Sequence, residues 1–142
     1  IVTSHKITML TDTTFGETDF TDADMLVLPG GQPGTTYLGE FAPLKELLKN
    51  FYNNGGKIAA ICAAPTVFGK LGLLKGKKAT AYPSCMDGLT DAVPSEEKVV
   101  IDGNITTSRG LGTAVDFSLS LISQLLGEET AEKIAESVVY RR

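Results

Sequence analysis

The chain has 142 residues, the length of one ordinary domain. Apolar residues make up 42% and charged residues 21%, which is the composition of a folded protein rather than of a disordered one. Acidic residues outnumber basic ones by 17 to 13, so the formal charge is -4, and binding to nucleic acid through a basic patch is not expected. No apolar run approaches the roughly 18 residues that cross a bilayer, so no membrane partner is expected either.

Cysteine and histidine are both scarce, which limits the chemistry. Cys62 and Cys85 are too few for a disulfide framework, so we expect a reduced, cytoplasmic setting. His5 is the only histidine, so the chain lacks the ligand pattern of a zinc site and we expect no metal. A Ser-His-Asp triad or a Cys-His dyad would have to use the imidazole of His5.

Short apolar runs alternate with patterns of helical period along the whole chain. In chain order, we predict a strand at 7–10, a strand at 23–28, a helix from 43 to the Asn-Asn-Gly-Gly sequence at 53–56, a strand at 57–61, a helix at 64–71, a weaker strand at 77–81, a β-hairpin at 99–107, and helices from 113 to 126 and from about 129 to 138. This order predicts a three-layer α/β/α sandwich with a mainly parallel sheet, formed by residues 1–142 as a single domain.

The sequence also predicts two local motifs, a hairpin turn and a helix cap. Asp102-Gly103 is typical of a type I′ hairpin turn, in which both central residues have positive φ. Thr113 and Asp116 have the spacing of a capping box at the start of a helix.

The segment around Cys62 carries the strongest chemical signal. A predicted strand ends, the cysteine follows, and a helix begins at once, which is the arrangement of a nucleophile elbow. Such a turn is sharp, and the residues that would crowd each other, Ala60 and Ala64, are both small. Unpaired N–H groups at a helix start favour a thiolate. The alternative is an inert buried cysteine.

Glycines end a neighbouring strand at Pro29-Gly30-Gly31. A Gly-Gly pair lets backbone N–H groups approach a ligand closely. Beside an elbow cysteine, the N–H of Gly31 and the N–H of Ala63 would form an oxyanion hole. The alternative is a simple turn from strand to loop.

Other candidate pocket residues lie near predicted strand ends. Tyr82 follows the strand at 77–81 and either faces the same crevice as Cys62 or packs in the core. Arg109 either binds an anion there or makes a surface salt bridge. Cys85 is a resolving thiol or a bystander. The Gly-Leu-Gly sequence at 110–112 lacks the third glycine of a dinucleotide fingerprint, so we expect no nucleotide cofactor.

Three motifs in order resemble the DJ-1/ThiJ/PfpI family, and its DJ-1/ThiJ branch rather than its protease-like branch. They are Leu-Pro-Gly-Gly at 28–31, Ala-Ala-Ile-Cys-Ala-Ala-Pro at 59–65 and Thr-Ser-Arg-Gly-Leu-Gly-Thr at 107–113. The resemblance runs from about residue 6 to the C-terminus. It implies a flavodoxin-like fold, also seen in class I glutaminases, and a homodimer.

The resemblance also implies a function. Cys62 matches the reactive cysteine of the family, and Gly31 and Ala63 match the two backbone donors beside it. This favours a cysteine-dependent hydrolase or lyase that acts on small reactive carbonyls or glycated substrates, of glyoxalase or deglycase type, in stress protection and without a cofactor. The alternative is a non-enzymatic redox sensor or chaperone. A glutaminase-type amide hydrolase is disfavoured because no histidine follows the cysteine.

Two departures from the family pattern affect the mechanism. Tyr82 occupies a position where some members have histidine, which weakens a Cys-His mechanism. The family also begins with a β-α-β unit whose glutamate contacts the cysteine, and Glu17 lies in a different place. We therefore expect the domain at 1–142 to be incomplete at its N-terminal side. An upstream segment would supply a strand and a glutamate, and residues 1–142 alone would not be an active unit.

Overall fold

The computed structural model of the chain describes residues 1–3 and 5–141. The strands are β1 (Met25–Leu28), β2 (Lys57–Ile61), β3 (Lys78–Ala79), β4 (Val93–Pro94), β5 (Val99–Asp102) and β6 (Ile105–Ser108). The α-helices are α1 (Gly34–Glu40), α2 (Ala42–Asn53), α3 (Pro65–Lys70), α4 (Ala114–Leu126) and α5 (Glu128–Ser137). None of the helices in this described part has the length and apolarity needed to cross a bilayer.

The main sheet has the strand order β1-β2-β6-β5. β2 pairs in parallel with both β1 and β6, and only the hairpin partner β5 runs antiparallel to β6. The two short strands β3 and β4 form a separate parallel pair. A mainly parallel sheet with helices is the predicted α/β architecture, and the fold prediction is confirmed.

Helices cover both faces of this sheet. Ile58 and Ile105 are register partners and are fully buried on one face, against the apolar side chains of α2 and α3. Thr106 points to the opposite face, where Gln124 of α4 donates to its hydroxyl over 2.9 Å. Lys57 donates to the backbone carbonyl of the same Gln124 over 2.8 Å, which fixes α4 on that face. The molecule is therefore a three-layer sandwich.

Two predicted strands differ from the structure. Residues 7–10 form no strand, and the only pairing there is an isolated bridge between Val2 and Thr8, because this exposed segment folds back on the first residues of the chain. Only Lys78–Ala79 of the segment 77–81 is a strand, and it pairs with β4 outside the main sheet. Within the described residues β1 lies at the sheet edge and leaves Val27 45% exposed.

Two predicted local motifs are also wrong. The hairpin turn is centred on Gly103 and Asn104, and only Gly103 has positive φ, because Asp102 remains paired with Ile105 in the ladder. The capping box does not form, because Thr113 bonds to the loop before α4. The helix α1 was not predicted, since its glycines and threonines are weak helix formers.

The side chain of Asp102 joins the two sheets. It accepts a hydrogen bond from the backbone N–H of Lys78 over 2.8 Å and from the Lys77 ammonium over 3.0 Å. The bond from the Lys78 backbone and then the bond from Lys77 hold the pKa of Asp102 below its ordinary value of 3.8. The same contact with Asp102 raises the pKa of Lys77 above its ordinary value.

Replacing this carboxylate should weaken the fold in a pH-dependent way. We expect Asp102→Asn to lower the free energy of unfolding by about 1 kcal/mol near neutral pH, the net worth of one partly exposed hydrogen bond. Because the pKa of Asp102 is lower in the folded chain, its contribution is complete above 3.8 and is lost as the pH falls through the lowered value. Because the pKa of Lys77 is raised in the folded chain, the pair's contribution is also lost as the pH rises through that raised value.

Urea unfolding of both proteins across the acid range measures this difference. Glu97→Gln is the control, since it removes an exposed partner of Lys78 and should have a smaller effect. A deficit of Asp102→Asn that stays constant down to about pH 2 would contradict the proposed origin of the contribution.

Candidate functional site

Cys62 lies in the sharp turn between β2 and α3 with a φ of +66°, a conformation that non-glycine residues rarely adopt. Both of its backbone groups are bonded to neighbouring segments. Its N–H donates to the carbonyl of Ser108 at the end of β6 over 2.9 Å, and its carbonyl accepts from the N–H of Tyr82 over 2.8 Å. Two other segments therefore hold the strained turn in place, as the predicted nucleophile elbow requires.

Gly30 lies directly against this turn. A Cβ at Gly30 would lie 2.6 Å from the Cβ of Cys62, 2.6 Å from the carbonyl oxygen of Ile61 and 3.1 Å from the N of Ala63. Two of these three atoms belong to the backbone and cannot move aside. Only glycine lets the loop after β1 touch the elbow after β2.

Two backbone N–H groups beside Cys62 are available for a ligand. Gly31 uses its carbonyl to accept from the N–H of Thr35 and from its hydroxyl, each over 2.9 Å, which ties this peptide to the first turn of α1. The N–H of Gly31 and the N–H of Ala63 donate to no acceptor among the described residues. Ala63 follows the cysteine, and Gly31 follows the glycine that touches it, so both donors belong to the segments that meet at the thiol.

The other wall of the crevice is formed by Gly110 and Tyr82. The point that a Cβ of Gly110 would occupy is 3.8 Å from the Sγ of Cys62 and 3.4 Å from Cδ2 of the Tyr82 ring. The loop is fixed by Thr113, whose hydroxyl accepts from the Gly110 N–H over 3.1 Å and lies 2.7 Å from the Ser108 hydroxyl. The absence of a side chain at Gly110 thus keeps space open beside the sulfur.

The remaining candidate residues are less directly placed. Arg109 precedes Gly110, is half-buried, and makes no hydrogen bond or ion pair with any described residue. Cys85 packs partly against the main core and donates its N–H to the carbonyl of Tyr82 over 2.7 Å. Glu17 is exposed and accepts from Thr14 over 2.7 Å, so it serves a local turn.

The thiol has no acid or base of its own within the described residues. Its Sγ makes no hydrogen bond to any of them. That part of the chain also holds no cluster of three His, Cys, Asp or Glu side chains that could bind a metal ion. Two surface grooves, of about 440 and 460 Å³, are lined by other residues and do not include Cys62.

Sequence reasoning missed two residues of this site. Gly110 and Ser108 both lie in the motif at 107–113, but neither was assigned a role at the site. The position of both at the end of β6, beside the end of β2, is the signal that could have identified them, because the ends of parallel strands meet at one edge of a sheet.

Comparison with known proteins shows the family to which the chain belongs. A sequence profile described as the DJ-1/PfpI family matches residues 1–124. The chain belongs to the DJ-1/PfpI family. The crystal structure of Drosophila melanogaster DJ-1beta superimposes on this DJ-1/PfpI chain with a TM-score of 0.93 at 38% identity, covering 100% of the chain and 77% of the fly protein.

Curated relatives extend the comparison. Protein DJ-1 homolog B of Arabidopsis thaliana is 45% identical over 141 residues, which is 96% of this chain and 32% of the plant protein. The chain therefore spans about a third of the length of that relative. Glutathione-independent glyoxalase DJR-1.2 of Caenorhabditis elegans is 35% identical over 113 residues, covering 78% of this chain and 60% of the worm protein.

Proposed function

We propose that this DJ-1/PfpI chain carries the thiol part of an active site for small reactive carbonyls, of glyoxalase type. The observation that carries the proposal is the position of Cys62, on a strained elbow between segments that hold two N–H groups without acceptors. The name of the worm relative, a glutathione-independent glyoxalase, supports this class of reaction. Glycated substrates, which release the same carbonyls, form the second expected substrate class.

In the proposed reaction the Cys62 thiolate adds to an aldehyde carbon. A C–S bond forms, the π bond of the carbonyl breaks, and its electron pair moves to the oxygen. The N–H groups of Gly31 and Ala63 then donate to this oxyanion, where fixed donors need no reorganisation. With a 2-oxoaldehyde, the proton on the carbinol carbon is removed to give an enediol and returned to the neighbouring carbon, while the former ketone oxygen takes up the hydroxyl proton, which converts the hemithioacetal into the thioester of a 2-hydroxy acid. Water then releases a 2-hydroxy acid and restores the thiol.

The other pocket residues receive roles in the same proposal. Tyr82 forms a wall of the crevice through its ring, next to the space left by Gly110. Arg109 would bind an anionic group of the substrate, since its guanidinium has no partner in the described part of the chain. Gly30 would act through shape alone, by letting the two loops touch.

Proton transfer requires a group that the described residues do not place at the thiol. We propose that a glutamate on an upstream segment supplies it. The outer edge of β1 is unpaired within the described residues, and Val27 on its surface is 45% exposed, so an added strand and helix would find a partner there. The homodimer expected from the resemblance remains a prediction, which the molar mass from light scattering tests.

A redox sensor or chaperone is the second candidate function. The lack of an acid or base at the Cys62 sulfur among the described residues favours it, because oxidation of a thiol needs no such partner. Turnover separates the two functions, since a sensor responds to peroxide but converts no aldehyde.

The proposal predicts that replacing Cys62 lowers catalytic activity far more than replacing Cys85. In a glutathione-free assay of the protein together with its upstream segment, Cys62→Ser should lower kcat/KM for methylglyoxal by at least roughly a thousandfold, because the nucleophile is lost. Cys85→Ser is the matched control and should stay within about twofold, because Cys85 packs against the core and does not line the crevice. Formation of lactate is the readout. Equal turnover by Cys62→Ser and the native protein, or none by the native protein, would contradict the enzymatic proposal.

A further inference from the structure

A second groove lies apart from Cys62, between helices α1, α2 and α3. Its volume is about 460 Å³, within the range of roughly 300–1,000 Å³ that is typical of small-molecule sites. Lys45 and Lys49 of α2 and Lys70 of α3 line it, and we call it the lysine groove. Val67 and Leu71 of α3 add an apolar part to the lining.

The ammonium groups of the lysine groove differ in their contacts from those of other lysines in the described part of the chain. Elsewhere in the chain four lysines each pair with a carboxylate, namely Lys77, Lys78, Lys98 and Lys133. None of the three groove lysines forms an ion pair or a side-chain hydrogen bond with a described residue. Glu46 is the one carboxylate in the lining, so three cations and one anion leave a net positive groove on a chain whose formal charge is -4.

Local electrostatics disfavour Lys45, whereas Lys49 has Glu46 three residues before it on α2, a favourable spacing for opposite charges. Lys45 and Lys49 are four residues apart on α2, where like charges repel each other and destabilise the helix. Lys45 also lies in the first turn of α2, at the positive end of the helix dipole. Lys70, by contrast, lies in the last turn of α3, where the dipole favours a cation. A bound anion would relieve the repulsion between Lys45 and Lys49.

We propose that the lysine groove binds the phosphate group of a small organic phosphate. Lysine ammonium groups act as point-charge donors to phosphate, and a dianion can satisfy two or three of them at once. The half-buried Leu71 and the exposed Ala42 give the organic part of the ligand an apolar contact in the same groove, above the buried Val67. This site is independent of the carbonyl chemistry at Cys62.

Titration with phenyl phosphate, followed by the backbone amide signals in NMR, tests the proposal. At low salt we expect saturable binding with a Kd below about 10 mM, and shifts centred on α2 and α3. Phenol should bind far more weakly, because it lacks the charge, and inorganic phosphate should bind more weakly than the ester, because it lacks the apolar part.

Lys→Gln variants inside and outside the groove show whether binding depends on these three lysines. Lys45→Gln, Lys49→Gln and Lys70→Gln should each weaken phenyl phosphate at least about threefold, because each removes a cation next to the anion. Lys75→Gln changes the net charge equally at an exposed lysine outside the groove, and its affinity should be unchanged. Thermal unfolding of the four variants confirms that each is folded.

Three results would overturn the proposal. They are the absence of saturable binding, an equal loss of affinity in Lys75→Gln, and shifts centred on the loop at 30–31 and the elbow at 61–63 instead of α2 and α3. The last result would place the phosphate at the thiol rather than in the lysine groove.

Discussion

The close approach of Gly30 to the turn at Cys62 is the contact on which the site depends. β1 and β2 are parallel and in register, with Leu28 opposite Ala60, so the loops that leave their ends must pass each other at the same edge of the sheet. A Cβ at Gly30 would fall 2.6 Å from the backbone oxygen of Ile61. No side chain fits between the two loops, and their peptide groups therefore lie side by side.

The strained backbone at Cys62 follows from the same crowding. A residue with positive φ reverses the chain within one step, and it persists only where its surroundings hold it. Bonds to Ser108 and Tyr82 do this here, which means that β6 and the segment after β3 both take part in presenting the sulfur. The N–H groups of Gly31 and Ala63, which have no acceptor among the described residues, lie on backbone held in place by these contacts, as the proposed role in stabilising an oxyanion requires.

Elements that depend on one local sequence pattern could be predicted from the sequence. Buried parallel strands such as β2 are continuous apolar runs, and the helix at α2 keeps an amphipathic period, so both were predicted close to their true bounds. The elbow was predicted because small residues flank a cysteine between strand and helix. These signals lie within a few residues of each other.

Features decided by distant partners could not be predicted in the same way. The apolar segment at 77–81 is short. It pairs with β4 rather than with the main sheet, and that pairing depends on the path of the residues between β3 and β4. The Thr113 side chain does not cap α4, because its hydroxyl is hydrogen-bonded to Ser108 and Gly110 instead. The wall made by Gly110 and Tyr82 joins segments that are far apart in sequence, and only the folded chain shows that both face the sulfur of Cys62.

The most direct test of the central claim is the rate at which iodoacetamide alkylates Cys62 relative to Cys85, measured on both peptides of one sample by mass spectrometry. In the native protein Cys62 should react at least about tenfold faster, because its thiol lies where the loop at Gly31 meets the turn at Ala63, whose N–H groups have no acceptor among the described residues. Gly30→Ala should abolish most of this difference while leaving Cys85 unchanged, and Gly34→Ala, which meets no atom within 4 Å, should have no effect. Equal rates at the two cysteines, or a ratio that Gly30→Ala does not alter, would contradict the claim that contact between these loops creates the reactive site.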